Sequence, residues 1–163
     1  MIPRLIVSLT ITCAINAQVL YVSSLTTNSA TTITVLNAAN GARLAQTPAR
    51  AGGLAVTADG RTFFATDANG LSVAAYTGAT VQLLATAATG GSPVAVAVAP
   101  NGARIYVAAA GGGNVSVHDA RTLLLVGSVT AGFSPTAIAV HPDNSRFHVA
   151  NSSNREIAVF DAT

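Results

Sequence analysis

The sequence predicts an all-β fold made of a repeated four-stranded antiparallel unit, and three observations carry that prediction. The first is a period. Asp59-Gly60, Asn101-Gly102 and Asp143-Asn144 stand 42 residues apart, and Ser92-Pro93 returns as Ser134-Pro135 at the same interval. A bulky ring recurs in step at Tyr21, Phe64, Tyr106 and His148. The second is texture: half of the residues are hydrophobic, and they alternate with small or polar ones in the period-two pattern of strands. The third is punctuation, because Gly, Pro, Asn and Asp separate the runs. Four short strands in each 42-residue unit is the pattern of a β-propeller blade.

The start, "MIPRLIVSLTITCAINAQ", has one positive charge, an apolar stretch from Leu5 to Ile15 and small residues near Ala17. It reads as a secretory signal peptide over residues 1–17, cut after Ala17; the alternative is a first β-strand. Cys13 is the only cysteine, so a chain cut there could form no disulfide. Residues 18–163 are then a partial propeller. Its third unit serves as a template. "VAVAVAP" is an inner strand that ends at a two-residue "NG" turn, where Gly102 supplies positive φ. "RIYVAA" is its hairpin partner, "VSVHD" follows the loop "AGGGN", and "TLLLVGSV" closes the unit. Inner strands are expected at Gly52 to Thr57, Val94 to Ala99 and Thr136 to His141. Each has a large face (Val94, Val96, Val98) and a small one (Ala95, Ala97, Ala99), so that successive sheets can nest near the axis.

With strands labelled a to d from axis to rim, the chain after Ala17 reads b-c-d, then a-b-c-d twice, then a-b-c. That is about three and a half blades, an open arc or a fragment of a larger propeller. Two copies would overlap in phase rather than complement each other, while exposed blade faces favour self-association or capping by a partner.

"SPVAVAVAPNGARIYVAAAGGGNVSVHDARTLLLVGSVTAG" resembles the YVTN-type β-propeller repeat of bacterial and archaeal surface and secreted proteins. "SPTAIAVHPDNSRFHVANSSNREIAVFDAT" is similar to it as well, especially at "VAN". The likeness runs over nearly the whole chain after Ala17, departing at extra residues between Tyr21 and Ile33 and at His148, where Tyr is usual. It implies a propeller of about seven blades and a secreted, periplasmic or cell-surface location. It implies no particular activity, because such folds host many.

The eight basic residues are all Arg and are scattered singly. They form no stripe that could neutralise phosphates, so a nucleic-acid partner is not expected. No run of apolar residues is long enough for a membrane span after signal cleavage. His148 and His118 occupy slots filled elsewhere by Tyr, Phe or Leu, and His141 ends an inner strand without a second metal ligand placed to join it. No metal, no cofactor and no catalytic set are assigned. Asp59, Asn101, Asp143, Asp119 and Asp161 recur at turns and read as caps. "TDANG" is similar to a calcium loop but has too few carboxylates. The d–a and b–c loops emerge on one face. Their non-repeated polar residues, Arg50, Asp67, Asn69, Asn114, Asn151, Asn154 and Arg155, with Glu156 beside them, are the ligand-binding candidates. The expected function is an exported, non-catalytic binding or scaffold module for a protein or surface component. The alternative is part of a propeller enzyme, lactonase-like or quinoprotein-like, whose site needs further blades.

Overall fold

A computed structural model describes residues 10–13, 19–25 and 31–162. The described residues form fifteen strands and no helix. They make four antiparallel meanders: β1 to β4 (Thr10–Cys13, Val19–Leu25, Thr31–Asn37, Arg43–Pro48), β5 to β8 (Leu54–Val56, Thr62–Asp67, Ser72–Thr77, Leu83–Ala88), β9 to β12 (Pro93–Val98, Arg104–Ala109, Asn114–Asp119, Leu125–Thr130) and β13 to β15 (Pro135–Val140, Arg146–Asn151, Glu156–Asp161). The chain is therefore an all-β propeller segment of three four-stranded blades and one three-stranded blade. The inner strands fall where they were expected, at β5, β9 and β13.

The opening unit differs from expectation. Thr10–Cys13, inside the segment read as a leader, pairs with β2 in antiparallel register, Thr12 opposite Tyr21. The first unit thus has an inner strand, as the alternative reading of this segment held, and is not an incomplete b-c-d set. "TITC" is β-branched and short, which suits an inner strand as well as a leader. The proposed cut after Ala17, and most of the inserted residues before Ile33, lie outside the described residues.

The a–b turns also differ, being four residues long rather than two. In the third blade Ala99 N–H bonds the Arg104 carbonyl and Gly102 N–H returns to Ala99 C=O at 2.8 Å. Pro100 occupies the position whose φ it pre-sets in a type I turn, and Gly102 sits at φ +69°. The fourth blade repeats the turn with Asn144 at φ +63° in the glycine's place.

Each interface between blades has its own apolar cluster. Tyr21, Ile33 and Val35 of the first blade meet Leu54, Phe63 and Tyr76 of the second. Ala55, Phe64, Val73 and Ala75 then meet Val96, Ile105 and Val107, and Tyr106, Ala108, Val115 and Val117 meet Phe147 and Val149. A blade therefore has a trailing face, which carries Tyr21, Phe64 or Tyr106, and a leading face, which carries Phe63, Ile105 or Phe147. The small side of each inner strand turns to the following blade. A Cβ on Gly53 would stand 2.9 Å from Ala95 Cα.

Candidate functional site

The d–a and b–c loops gather at one end of the blades, and the structure splits the predicted polar residues there into groups. Arg50, just past β4, and Asp67, ending β6, line a groove of about 460 Å³ between the first two blades with Ser72, Tyr76 and Thr86. Asp67 caps its own turn by accepting the Asn69 N–H at 3.0 Å. Burial raises the Tyr76 phenol above its ordinary value, and the Asp67 charge adds to the shift.

Asn114 and Asn151 belong to the corner between the third and fourth blades. Asn151 is buried, and its side-chain amide donates to the Ala131 carbonyl at 2.6 Å. Ala131 N–H bonds Gly113 C=O, and Ser152 N–H bonds Ser134 C=O. These bonds hold the d–a segment Ala131–Ser134 rigidly against the b–c turn. The side-chain carbonyl oxygens of Asn114 and Asn151 are both buried without a hydrogen-bond partner. Asn154 is occupied by Glu156 at 2.6 Å, and Arg155 stands exposed at φ +58°. Neither pair joins the Arg50 and Asp67 groove.

Sequence reasoning passed over Phe133. It is 84% exposed at the tip of the segment that Asn151 fixes, between Gly132 at φ +90° and Ser134 at φ +56°. The available signal was a large aromatic within "TAGFSP", at a position where the preceding unit has Gly91.

The histidines separate. His118 is fully buried; its Nδ1 lies 3.0 Å from the Leu123 carbonyl and its Nε2 3.0 Å from Ser116 Oγ. Because a carbonyl only accepts, Nδ1 carries a proton. This is a satisfied core histidine. His141 and His148 share a groove of about 620 Å³ with Asp143, Ser145, Arg146 and Asp161 on the outer side of the fourth blade. Their spacing in sequence did not reveal that juxtaposition. His141 Nδ1 is 2.7 Å from Asp143 Oδ1. No group of three metal-ligating side chains converges among the described residues.

Sheet order, blade nesting and a loop face at one end define this chain as a β-propeller segment. No protein-family model and no curated protein sequence matches it. Among solved structures it is similar to hydrazine synthase of Kuenenia stuttgartiensis, at 21% identity and a TM-score of 0.82, covering 93% of this chain and 45% of that one. It is also similar to a 6-phosphogluconolactonase-like protein of Bacteroides fragilis NCTC 9343, at 17% identity and a TM-score of 0.77, covering 95% and 51%. The chain thus spans about half the length of these neighbours, and the likeness establishes the fold.

Proposed function

We infer that this chain is a non-catalytic binding module of the YVTN-type surface propellers, which engages a macromolecular or cell-surface partner through its loop face. Phe133 carries the reading. A solvent-facing aromatic ring on a loop anchored by the buried Asn151 amide has the features of a binding hot spot: large contact area and little ordering cost. The Arg50 and Asp67 groove supplies a polar flank of both charges.

Adsorption to insoluble cell-envelope material from the source cells tests this. Phe133→Ala should weaken retention about tenfold while leaving the far-ultraviolet circular dichroism unchanged. Equal retention would sink the reading. The enzyme alternative is favoured only by the lactonase-like neighbour. It requires turnover on a panel of lactones that one loop substitution abolishes.

Export belongs to the same proposal and rests on the signal-like start. Secreted material should begin at Gln18 by intact-mass measurement. That cleavage would remove β1 and leave the first unit with three strands, so a soluble chain retaining Thr10–Cys13 would count against export by this route.

A further inference from the structure

The groove between the first two blades holds chemistry that the other blades lack at the same positions. Tyr76 stands in its wall, where the third blade has His118 and the fourth Phe160. His118 is satisfied within the chain by Ser116 Oγ and the Leu123 carbonyl. Phe160 has no polar atom to satisfy. Tyr76 is only 9% exposed, yet its hydroxyl makes no hydrogen bond among the described residues. Ala74 occupies the place of Ser116, so the partner that serves the third blade is missing from the second.

The charges of the groove are equally particular to it. Arg50 corresponds to Ser92 and Ser134 of the later units, and Asp67 to Ala109 and Asn151. Neither Arg50 nor Asp67 forms an ion pair among the described residues. Asp67 accepts the Asn69 N–H, which leaves its carboxylate further acceptor capacity. One unneutralised cation, one carboxylate and one unbonded phenol therefore line a single groove of about 460 Å³. Small-molecule sites span roughly 300–1,000 Å³. Ala65, Ala74 and Leu83 add an apolar wall.

We propose that this groove binds a short zwitterionic peptide, with its carboxylate on Arg50, its ammonium on Asp67 and a peptide carbonyl on the Tyr76 hydroxyl. Charge selects the class. A ligand of one sign would leave either Arg50 or Asp67 facing a like charge, whereas a zwitterion pairs with both. Burial, and then the Asp67 charge, raise the Tyr76 phenol above its ordinary value, so it stays protonated at neutral pH and can donate. A free amino acid has no acceptor apart from its carboxylate, and a dipeptide adds a carbonyl. The apolar wall suits an aliphatic side chain. None of the lining residues belongs to β1 or to the fourth blade. The site therefore depends neither on a cut after Ala17 nor on what lies beyond the last blade, and it does not rest on Phe133.

Isothermal titration calorimetry of the full chain with L-alanyl-L-leucine provides the test. The dissociation constant should be about 1 mM or lower. N-acetylation removes the ammonium and C-terminal amidation removes the carboxylate, and each should weaken binding about tenfold. Free L-leucine should also bind more weakly. Arg50→Ser, Asp67→Asn and Tyr76→Phe each install the residue that the fourth blade carries at the same position, so the variants should fold, which circular dichroism checks. Arg50→Ser should no longer distinguish the dipeptide from its amide, and Asp67→Asn should no longer distinguish it from the acetylated form. Tyr76→Phe should lower affinity about fivefold. The proposal is overturned by the absence of saturable heat at about 10 mM dipeptide. Capped forms or free leucine that bind equally well, or folded variants with full affinity, overturn it too. Envelope retention is a separate readout, so this reading and the loop-face reading fail independently.

Discussion

Tyr21 and Tyr106 stand at the same position of their blades and direct their hydroxyls at the carbonyl after the third strand of the next blade. Phe64 fills the corresponding slot without a hydroxyl and is fully buried. Ring burial is therefore common to the slot, and the hydrogen bond is an addition to it. Tyr21→Phe should cost about 1 kcal/mol, the usual net worth of a buried hydrogen bond, read as a lower denaturant midpoint with an unchanged slope. His118→Ala should cost more, about 3 kcal/mol, because it opens a cavity and strips Ser116 Oγ and the Leu123 carbonyl of their partner. His148 is half-buried in the slot that Tyr21 and Tyr106 fill in their blades. His148→Tyr should leave the unfolding midpoint unchanged or raise it, because an aromatic ring like those of its counterparts fills the slot.

At the scale of the element, turn chemistry recurs with the period. Asp59, Asn101 and Asp143 each accept the N–H two residues on, from Arg61, Ala103 and Ser145. Asp119 accepts from both the Thr122 and Arg121 amides. These bonds favour the charged carboxylate. The Ser145 hydroxyl and amide, with His141 next, hold Asp143 far below the usual carboxylate range. The Thr57 hydroxyl lowers Asp59, and the Thr122 amide lowers Asp119. A depressed folded value stabilises the chain above the unfolded value of 3.8, and that contribution fades as pH falls toward the folded value. The unfolding midpoint should therefore drop as pH is lowered below about 5. Asp119→Asn with Asp143→Asn should flatten the profile there, and an unaltered acid limb would refute the assignment. The b–c corner repeats a left-handed residue at Leu71, Gly113 and Arg155, with φ of +50°, +62° and +58°. Arg155→Gly should stabilise by about 0.5–1 kcal/mol, relief of the left-handed cost outweighing the extra freedom of the unfolded chain.

Across the whole molecule, the blades nest because one side of each inner strand is nearly bare. The positions that a Cβ on Gly53 would reach are the backbone atoms Ala95 Cα, Val94 O and Val96 N, all within 3.2 Å. Backbone of a neighbouring blade cannot rotate away as a side chain could. Gly53→Val should therefore push the second and third inner strands apart at a cost of about 2 kcal/mol, seen as a lower melting temperature. Gly127, with open space around its missing Cβ, supplies the control: Gly127→Val on the outer strand should be near neutral.

The sequence by itself determined the class, the period, the inner strands and the turn caps. Each of these is local: alternation sets a strand, Pro100 and Gly102 set a turn, and a repeat spacing places the copies. The slot shared by Tyr21, Phe64, Tyr106 and His148 was legible for the same reason. Only the tertiary structure decided which strand entered the first blade, because "TITC" satisfies a leader and a strand alike until Thr12 finds Tyr21. It also divided the loop-face residues, since Arg50 and Asp67 line one groove at the first pair of blades, while Asn114 pairs with Thr130 and Asn151 holds Ala131 at the last. Phe133 stands out only once the Asn151 amide has fixed its loop. The exposure of Ile157 and Val159 likewise cannot be read from their identity, because the same positions in other blades bury Val115 and Val117. Burial of a blade face depends on whether another blade covers it, and adjacency is a property of the assembled arc.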